Sequence, residues 1–156
     1  MNYAQITKVL ASFEREGVEY VIFGGAALNL HGIARFTEDL DIFIRPTAEN
    51  IERLRRALRA VYDDPEIDSI SEADLLGEYP AVQYVPPEGT FHIDILTRLG
   101  EVFRFEDLEA VRLPLDELRV QVATPETLYR MKRNTVRLKD RADAELLRER
   151  FKLQDE

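Results

Sequence analysis

Three aspartates in two short apolar segments are the residues whose types and spacing could do chemistry. Asp39 and Asp41 are separated by one apolar residue in the segment 38–44, and Asp94 is flanked by isoleucines in the segment 91–96. Side chains alternate across a strand, so Asp39 and Asp41 are predicted to share one face while the apolar residues face the core. If the two segments are neighbouring strands, the three carboxylates converge on that face.

Carboxylates brought together in this way need a compensating charge. Ionised pairs repel by about 1 kcal/mol at ~4 Å even in bulk water, and proton uptake or a divalent cation offsets that repulsion. The chain has no cysteine and two histidines, so oxygen ligands for magnesium, manganese or calcium are the metal chemistry that remains. A pair of ions would clamp the attacking and leaving oxygens of a phosphoryl displacement. The alternative is a solvated polar strand face.

A pair of glycines, Gly24-Gly25, stands at the end of a predicted strand and ahead of a predicted helix. Glycine lets the backbone approach a ligand closely, and the N–H groups that follow can cradle an anion. A tight strand-to-helix turn explains the pair at least as well, so the glycines alone do not assign a phosphate site.

Hydrophobic periodicity predicts the elements that must position these residues. Predicted helices cover 2–16, 26–31, a segment starting after Thr47, 125 to about 133, and about 138 to 151. Predicted strands cover 19–23, 38–44, 81–85 and 91–96. Helix or loop is expected at 63–78, and one or two short strands with a helical turn at 101–122. This order predicts an α+β fold with a mixed sheet, flanking helices and a C-terminal helical segment.

Length and composition favour one soluble globular domain. The chain has 156 residues, 45% of them hydrophobic and 33% charged, which suits a single domain with its own core. We expect one domain over 1–156, with a core at 17–122 and C-terminal helices at 124–151. No signal peptide and no apolar run near the ~20 residues of a membrane span are evident. The expected location is therefore the cytoplasm, with no membrane partner.

The charge is unevenly distributed along the chain. The net charge of −9 argues against a protein that coats nucleic acid. The segment 130–148 nevertheless holds seven basic residues against three acidic ones, a net charge of +4. A concentrated positive segment in an acidic protein raises the question of a phosphate-bearing ligand, and the alternative is an exposed, solvated helix face.

Three segments form a recognisable combination: Phe23-Gly24-Gly25, then Arg35-Phe36-Thr37-Glu38-Asp39-Leu40-Asp41, then Ile93-Asp94-Ile95. Together they resemble the nucleotidyltransferase superfamily related to DNA polymerase beta. The Arg-x-Thr-x-Asp-x-Asp form is more specifically similar to the AbiEii-like nucleotidyltransferases, which include toxins of type IV toxin–antitoxin systems. The resemblance spans residues 23–147 and implies a nucleotidyltransferase fold.

The resemblance implies roles for the residues of these segments. Asp39 and Asp41 would bind the metal that carries the triphosphate, and Asp94 would complete the catalytic metal site and lower the pKa of the acceptor hydroxyl. Gly24 and Gly25 would present backbone N–H groups to the phosphates. One position departs from the superfamily, because Gly25 stands where serine is frequent, and a hydroxyl contact to phosphate is thereby lost.

Nucleotide-binding roles also extend to the residues before the aspartates. Arg35 would contact phosphate or pair with an aspartate. Thr37 would belong to the nucleotide-binding segment or hydrogen-bond the preceding loop.

Two C-terminal motifs of the same group are present. Thr124 followed by Lys132 matches a threonine–lysine motif, and an Arg, Arg, Asp, Asp helix motif is matched by Arg133, Arg137, Asp140 and Asp143. Lys132 and Arg137 are implied to neutralise the triphosphate. Asp140 is implied to act as an extra base or to hold Arg137. Lys139 stands where the resemblance leads us to expect arginine.

The expected activity is transfer of a nucleoside monophosphate from a nucleoside triphosphate, ATP among them, to an acceptor hydroxyl, with Mg²⁺ or Mn²⁺ as cofactor. The acceptor stays open between an RNA end such as tRNA, a partner protein and a small molecule, and a cognate antitoxin is a further candidate partner. The alternative is a non-catalytic nucleotide- or partner-binding module that keeps the fold. A nucleic-acid-binding module built on 130–148 is weaker, because the chain is acidic overall.

Overall fold

The computed structural model describes residues 3–34, 39–77, 80–87, 91–99, 103–133 and 138–153. Side chains are described throughout these ranges except at positions 133 and 138–140.

Within these ranges the strands are β1 (Tyr20–Phe23), β2 (Asp39–Ile44), β3 (Ala81–Tyr84), β4 (His92–Leu96), β5 (Arg98–Leu99), β6 (Phe103–Arg104), β7 (Ala110–Leu115) and β8 (Leu118–Ala123). Six of them form one mixed sheet in the order β3-β4-β2-β1-β8-β7. β2 runs parallel to β4 and antiparallel to β1, and β1 runs parallel to β8. The outer pairs β3–β4 and β7–β8 are antiparallel, and β5 pairs with β6 in a separate ribbon. The predicted α+β fold with a mixed sheet is confirmed.

The helices of the described ranges are α1 (Tyr3–Glu16), α2 (Gly24–Leu30), α3 (Ala48–Val61), α4 (Glu72–Leu75), α5 (Pro125–Arg133) and α6 (Leu138–Phe151). Short 3-10 helices lie at Pro65–Ser69 and Phe105–Asp107. Amphipathic spacing explains α1, whose apolar stripe is fully buried and consists of Ile6, Val9, Leu10 and Phe13. Burying this stripe against the sheet and α3 supplies most of the stability that a 14-residue helix lacks alone.

A buried asparagine joins α3 to the ends of the two central strands. Thr47 caps α3 by accepting a hydrogen bond from the Asn50 amide at 3.1 Å. The Asn50 side chain, 1% exposed, accepts from the Glu19 amide at 2.8 Å and donates to the carbonyls of Glu19 and Arg45, each at 3.0 Å. These bonds fix where β1 begins and β2 ends, and thereby the register at the opposite end, where the aspartates lie.

Two predicted segments differ from the structure in their boundaries. The helix predicted at 26–31 begins at Gly24, so the two glycines are its first residues and not a turn ahead of it. The region 101–122 contains more strand than expected, because β6, β7 and β8 all fall in or across it. Pro114 argues against a strand when only the sequence is considered, but β7 lies at the edge of the sheet, where a proline is tolerated.

No helix in the described part of the chain is long and apolar enough to cross a membrane.

Candidate active site

The pairing of β2 with β4 sets two of the aspartates side by side. In this parallel pair Asp41 is opposite Asp94, and Asp39 is opposite His92. Both strands alternate in burial, with the polar residues half-buried on one face and the aliphatic residues between them fully buried on the other. The predicted convergence on one sheet face is thus observed directly for Asp41 and Asp94, which also share a side-chain hydrogen bond.

Burial raises the pKa of the Asp41 carboxyl from 3.8 to about 7. The hydrogen bond to Asp94 and the negative charges of Asp94 and Asp39 act in the same direction, whereas the positive charge of Lys132 lowers the pKa. The site therefore concentrates negative charge beyond what its own basic residue offsets. Such a site takes up a proton or a cation to relieve the repulsion.

Gly24 makes room for the Asp41 carboxylate. A Cβ atom on Gly24 would lie 2.0 Å from Asp41 Oδ2 and 2.9 Å from its Cγ, closer than side chains tolerate. Gly24 also has a φ of +69°, in the left-handed region that favours glycine. The glycine expected to approach phosphate is thus also the residue that permits the position of Asp41, while Gly25 is buried in the first turn of α2.

A buried ion pair links α5 to α6 near the aspartates. Lys132 Nζ lies 3.0 Å from Asp143 Oδ2, and the two residues are 8% and 4% exposed. Because one partner left alone would be an uncompensated buried charge, the pair fixes the positions of both helices. The motif resemblance implies a place for Lys132 beside the triphosphate, and in the structure its positive charge lowers the pKa of Asp41.

Thr124 is a helix cap. Its Oγ1 accepts a hydrogen bond from the Thr127 amide at 3.2 Å at the start of α5. The threonine of the C-terminal motif therefore helps to hold the helix that carries Lys132.

Two further side chains contact Asp94 and Asp39, and neither was among the predicted site residues. Gln83 Nε2 on β3 lies 3.1 Å from Asp94 Oδ1, and His92 Nδ1 lies 3.3 Å from Asp39 Oδ1. The sequence signal for His92 is strand alternation, which puts it on the same face as Asp94. Gln83 carried no signal, because its place beside Asp94 depends on the pairing of β3 with β4.

Several predicted site residues lie outside the described residues. These are Arg35, Thr37 and Arg137, together with the side chain of Asp140, whose backbone belongs to α6.

A divalent cation was the predicted partner of the aspartates. Within the described ranges, no group of three or more histidine, cysteine, aspartate or glutamate side chains is arranged to hold a metal ion by itself. Asp41 and Asp94 form an adjacent, mutually repelling pair with only oxygen donors, and Asp39 adds its charge from two residues away. Magnesium is commonly held by one or two carboxylates plus substrate phosphates. The donor set therefore fits an ion that arrives with a triphosphate.

The fold is similar to that of several solved structures. The nucleotidyltransferase TM1012 from Thermotoga maritima has a TM-score of 0.56 and 14% identity, over 94% of this chain and 90% of that one. The antibiotic-resistance factor ANT(2'')-Ia, solved in complex with adenylyl-2''-tobramycin, has a TM-score of 0.59 and 14% identity, over 96% and 88%. A solution structure of ANT(2'')-Ia has a TM-score of 0.59 and 13% identity, over 96% of this chain and 83% of that one. At these identities the likeness shows the fold.

No curated protein is significantly similar to this chain in sequence. The family model described as the nucleotidyl transferase AbiEii toxin of type IV toxin–antitoxin systems matches residues 8–144. That match covers both aspartate strands, Gly24 and the Lys132–Asp143 pair. Sequence and fold together therefore place this protein in the AbiEii nucleotidyltransferase family, as a nucleotidyltransferase.

Proposed function

We propose that the protein transfers a nucleoside monophosphate from a nucleoside triphosphate to an acceptor hydroxyl, with a divalent cation, Mg²⁺ or Mn²⁺, held by Asp39, Asp41 and Asp94. The observation that carries the proposal is the adjacent placement of Asp41 and Asp94, above a glycine whose missing side chain leaves space for the Asp41 carboxylate. In the transfer, the acceptor hydroxyl loses its proton to solvent, its oxygen forms a bond to the α-phosphorus, the bond from that phosphorus to the bridging oxygen breaks, and pyrophosphate leaves.

Each described residue has a task in this proposal. Asp41 and Asp94 jointly supply oxygen ligands, and Asp39 extends the ligand set towards the triphosphate. Lys132, fixed by Asp143, places positive charge beside the carboxylates. When bound, the cation supplies charge neutralisation for the phosphates and lowers the pKa of the acceptor hydroxyl.

Further residues of the proposal come from the motifs alone. Arg35, Thr37, Arg137 and Asp140 complete the nucleotide-binding set, with Gly24 and Gly25 donating backbone N–H groups to phosphate. Because nucleoside triphosphates such as ATP are intracellular, the proposed reaction takes place in the cytoplasm. The family suggests a cognate antitoxin as a partner.

The acceptor is the open part of the proposal, and its test can separate three classes. The protein is incubated with Mg²⁺ and each α-labelled ribonucleoside triphosphate, with bulk tRNA, a cell protein extract or a set of aminoglycosides as the acceptor. The small-molecule arm is included because ANT(2'')-Ia was solved with an adenylylated antibiotic. Label that appears in one class identifies the acceptor and the donor nucleotide.

Matched variants decide whether the aspartates carry the reaction. Asp41→Asn removes one ligand, whereas Asp63→Asn makes the same change at an exposed position after α3. Residues that only orient metal ligands cost 10–100-fold when removed, so loss of a ligand is expected to lower transfer by ~100-fold or more. EDTA is expected to stop transfer and added Mg²⁺ or Mn²⁺ to restore it. Nucleotide binding without transfer to any class would instead favour a non-catalytic nucleotide-binding module.

A further inference from the structure

The edge strand β3 places Gln83, a residue that belongs to none of the motifs, beside Asp94. Gln83 is exposed on β3 and is opposite Asp94 in the antiparallel β3–β4 pair. Its Nε2 lies 3.1 Å from Asp94 Oδ1. An ionised carboxylate only accepts hydrogen bonds, so the amide NH₂ must face Asp94 and donate.

A histidine nitrogen contacts Asp39. His92 Nδ1 lies 3.3 Å from Asp39 Oδ1 and 3.5 Å from Gln83 Nε2. If Nδ1 carries the proton donated to Asp39, it has no lone pair for Gln83, so the amide of Gln83 is directed to Asp94. Gln83 on β3 thus contacts Asp94, and His92 on β4 contacts Asp39.

We propose that Gln83 is a positioning residue that fixes the orientation of the Asp94 carboxylate through a donated hydrogen bond. This inference rests on the proposed function, in which Asp94 serves the acceptor side of the reaction. A neutral donor suits the task, because it restricts rotation of the carboxylate without competing with a cation for the site, as a lysine or arginine would. Residues that orient a metal ligand act in this way in metalloproteins generally.

Two substitutions separate the hydrogen bond from packing. Gln83→Met keeps an unbranched chain of similar length without a donor, and Gln83→Ala removes both the donor and the chain. If the donated hydrogen bond matters, both variants lower kcat by about tenfold, the equivalent of ~1.4 kcal/mol. The KM for the nucleoside triphosphate is expected to stay unchanged, since the triphosphate side depends on Asp39 and Asp41. Gln121→Met, at a strand position near the other end of the sheet, is the matched control and is expected to behave as the wild type.

Metal affinity gives a readout besides activity. Free Mn²⁺ is measured by electron paramagnetic resonance in the presence of a non-hydrolysable triphosphate analogue, and Gln83→Met and Gln83→Ala are expected to bind Mn²⁺ more weakly than Gln121→Met. Wild-type kcat and Mn²⁺ affinity in Gln83→Met would overturn the proposal. A rise in the KM for the triphosphate that accounts for the whole loss would overturn it too, because the defect would then lie in donor binding.

A final measurement separates failure of this inference from failure of the proposed function. If the wild type neither transfers nucleotide nor binds Mn²⁺, the proposed function has failed, but the Gln83–Asp94 contact can still be tested in metal-free protein. Proton exchange of the Gln83 side-chain amide is measured by NMR in the wild type and in Asp94→Ala. Slow exchange that becomes fast in Asp94→Ala supports the contact, and equal exchange in both proteins overturns it.

Discussion

Replacing Gly24 by alanine tests whether transfer depends on the position of the Asp41 carboxylate, and separates that effect from backbone strain. Gly24 has a φ of +69°, and an alanine in this region costs about 1–2 kcal/mol. Gly17 has a nearly equal φ of +72°, but a Cβ there would meet nothing within 4 Å. For a chain of this size, each kcal/mol of lost stability lowers the midpoint temperature of unfolding by ~2–4 °C. Both alanine variants are therefore expected to unfold at a temperature a few degrees lower than the wild type.

The two variants differ in what the new methyl group meets. The Cβ of Gly24→Ala would lie 2.0 Å from Asp41 Oδ2, and real contacts of this kind essentially never fall below 3.0 Å. The carboxylate is the end of a side chain and can rotate away, so the fold survives while the ligand oxygen moves by ~1 Å or more. A misplacement of 1 Å costs about 10²-fold in rate, whereas Gly17→Ala, far from such features, is expected to transfer within about twofold of the wild type.

The assay is transfer of labelled nucleotide to the acceptor class identified as above, beside thermal unfolding of both variants. Equal loss of stability with a ~10²-fold difference in rate is the expected pattern. Gly24→Ala with wild-type transfer would refute the argument, because it would show that the position of Asp41 is not required. A Gly24→Ala variant much less stable than Gly17→Ala would show that the clash is absorbed by the backbone and not by the carboxylate.

Three further predictions concern stability. In metal-free protein, Asp41→Asn is expected to stabilise the fold at pH 8 and to stabilise it less at pH 5. The pKa of Asp41 is raised from 3.8 to about 7, so between these pH values the folded state binds more protons than the unfolded state. The free energy of unfolding of the wild type therefore falls by up to ~4 kcal/mol as the pH rises through this range. Urea unfolding at both pH values checks this, and an equal effect at both would contradict it. Lys132→Met removes the buried positive charge that is paired with Asp143 and is expected to cost ~3–5 kcal/mol. Lys132→Met with Asp143→Leu is expected to regain most of that stability without regaining transfer, and a double variant as unstable as the single one would argue against the pair. Asn50→Leu removes three hydrogen bonds between a buried side chain and partly buried backbone groups, and is expected to cost ~2–3 kcal/mol or more in urea unfolding. A loss below ~0.5 kcal/mol, typical of surface substitutions, would contradict this.

Local pattern was sufficient for most of the elements and for the strand face on which the aspartates lie. The alternation of aspartate with aliphatic residues predicted the strands of Asp39, Asp41 and Asp94 and the face they share, because a strand that covers a core on one side must alternate. Thr47 and Thr124 each identified the start of a helix through their capping oxygens. The motif resemblance gave the family, which the match over residues 8–144 shows.

Boundaries that depend on the tertiary structure could not be predicted in the same way. The helix α2 begins at Gly24, two residues before its predicted start, although glycine has low helix propensity. β7 contains a proline, which only its place at the sheet edge makes acceptable.

By itself, the sequence determined which residues are acidic, which face of each strand is polar, and that the metal chemistry available is that of oxygen ligands. The tertiary structure decided which residues meet: Asp41 with Asp94, Gln83 with Asp94, and Lys132 with Asp143. The physical reason is that strand order and register bring together residues far apart in the chain, and these depend on burial of the whole core. Gly24 illustrates both contributions. The glycine is evident in the sequence, but only the fold places the Asp41 carboxylate where a side chain on residue 24 would be.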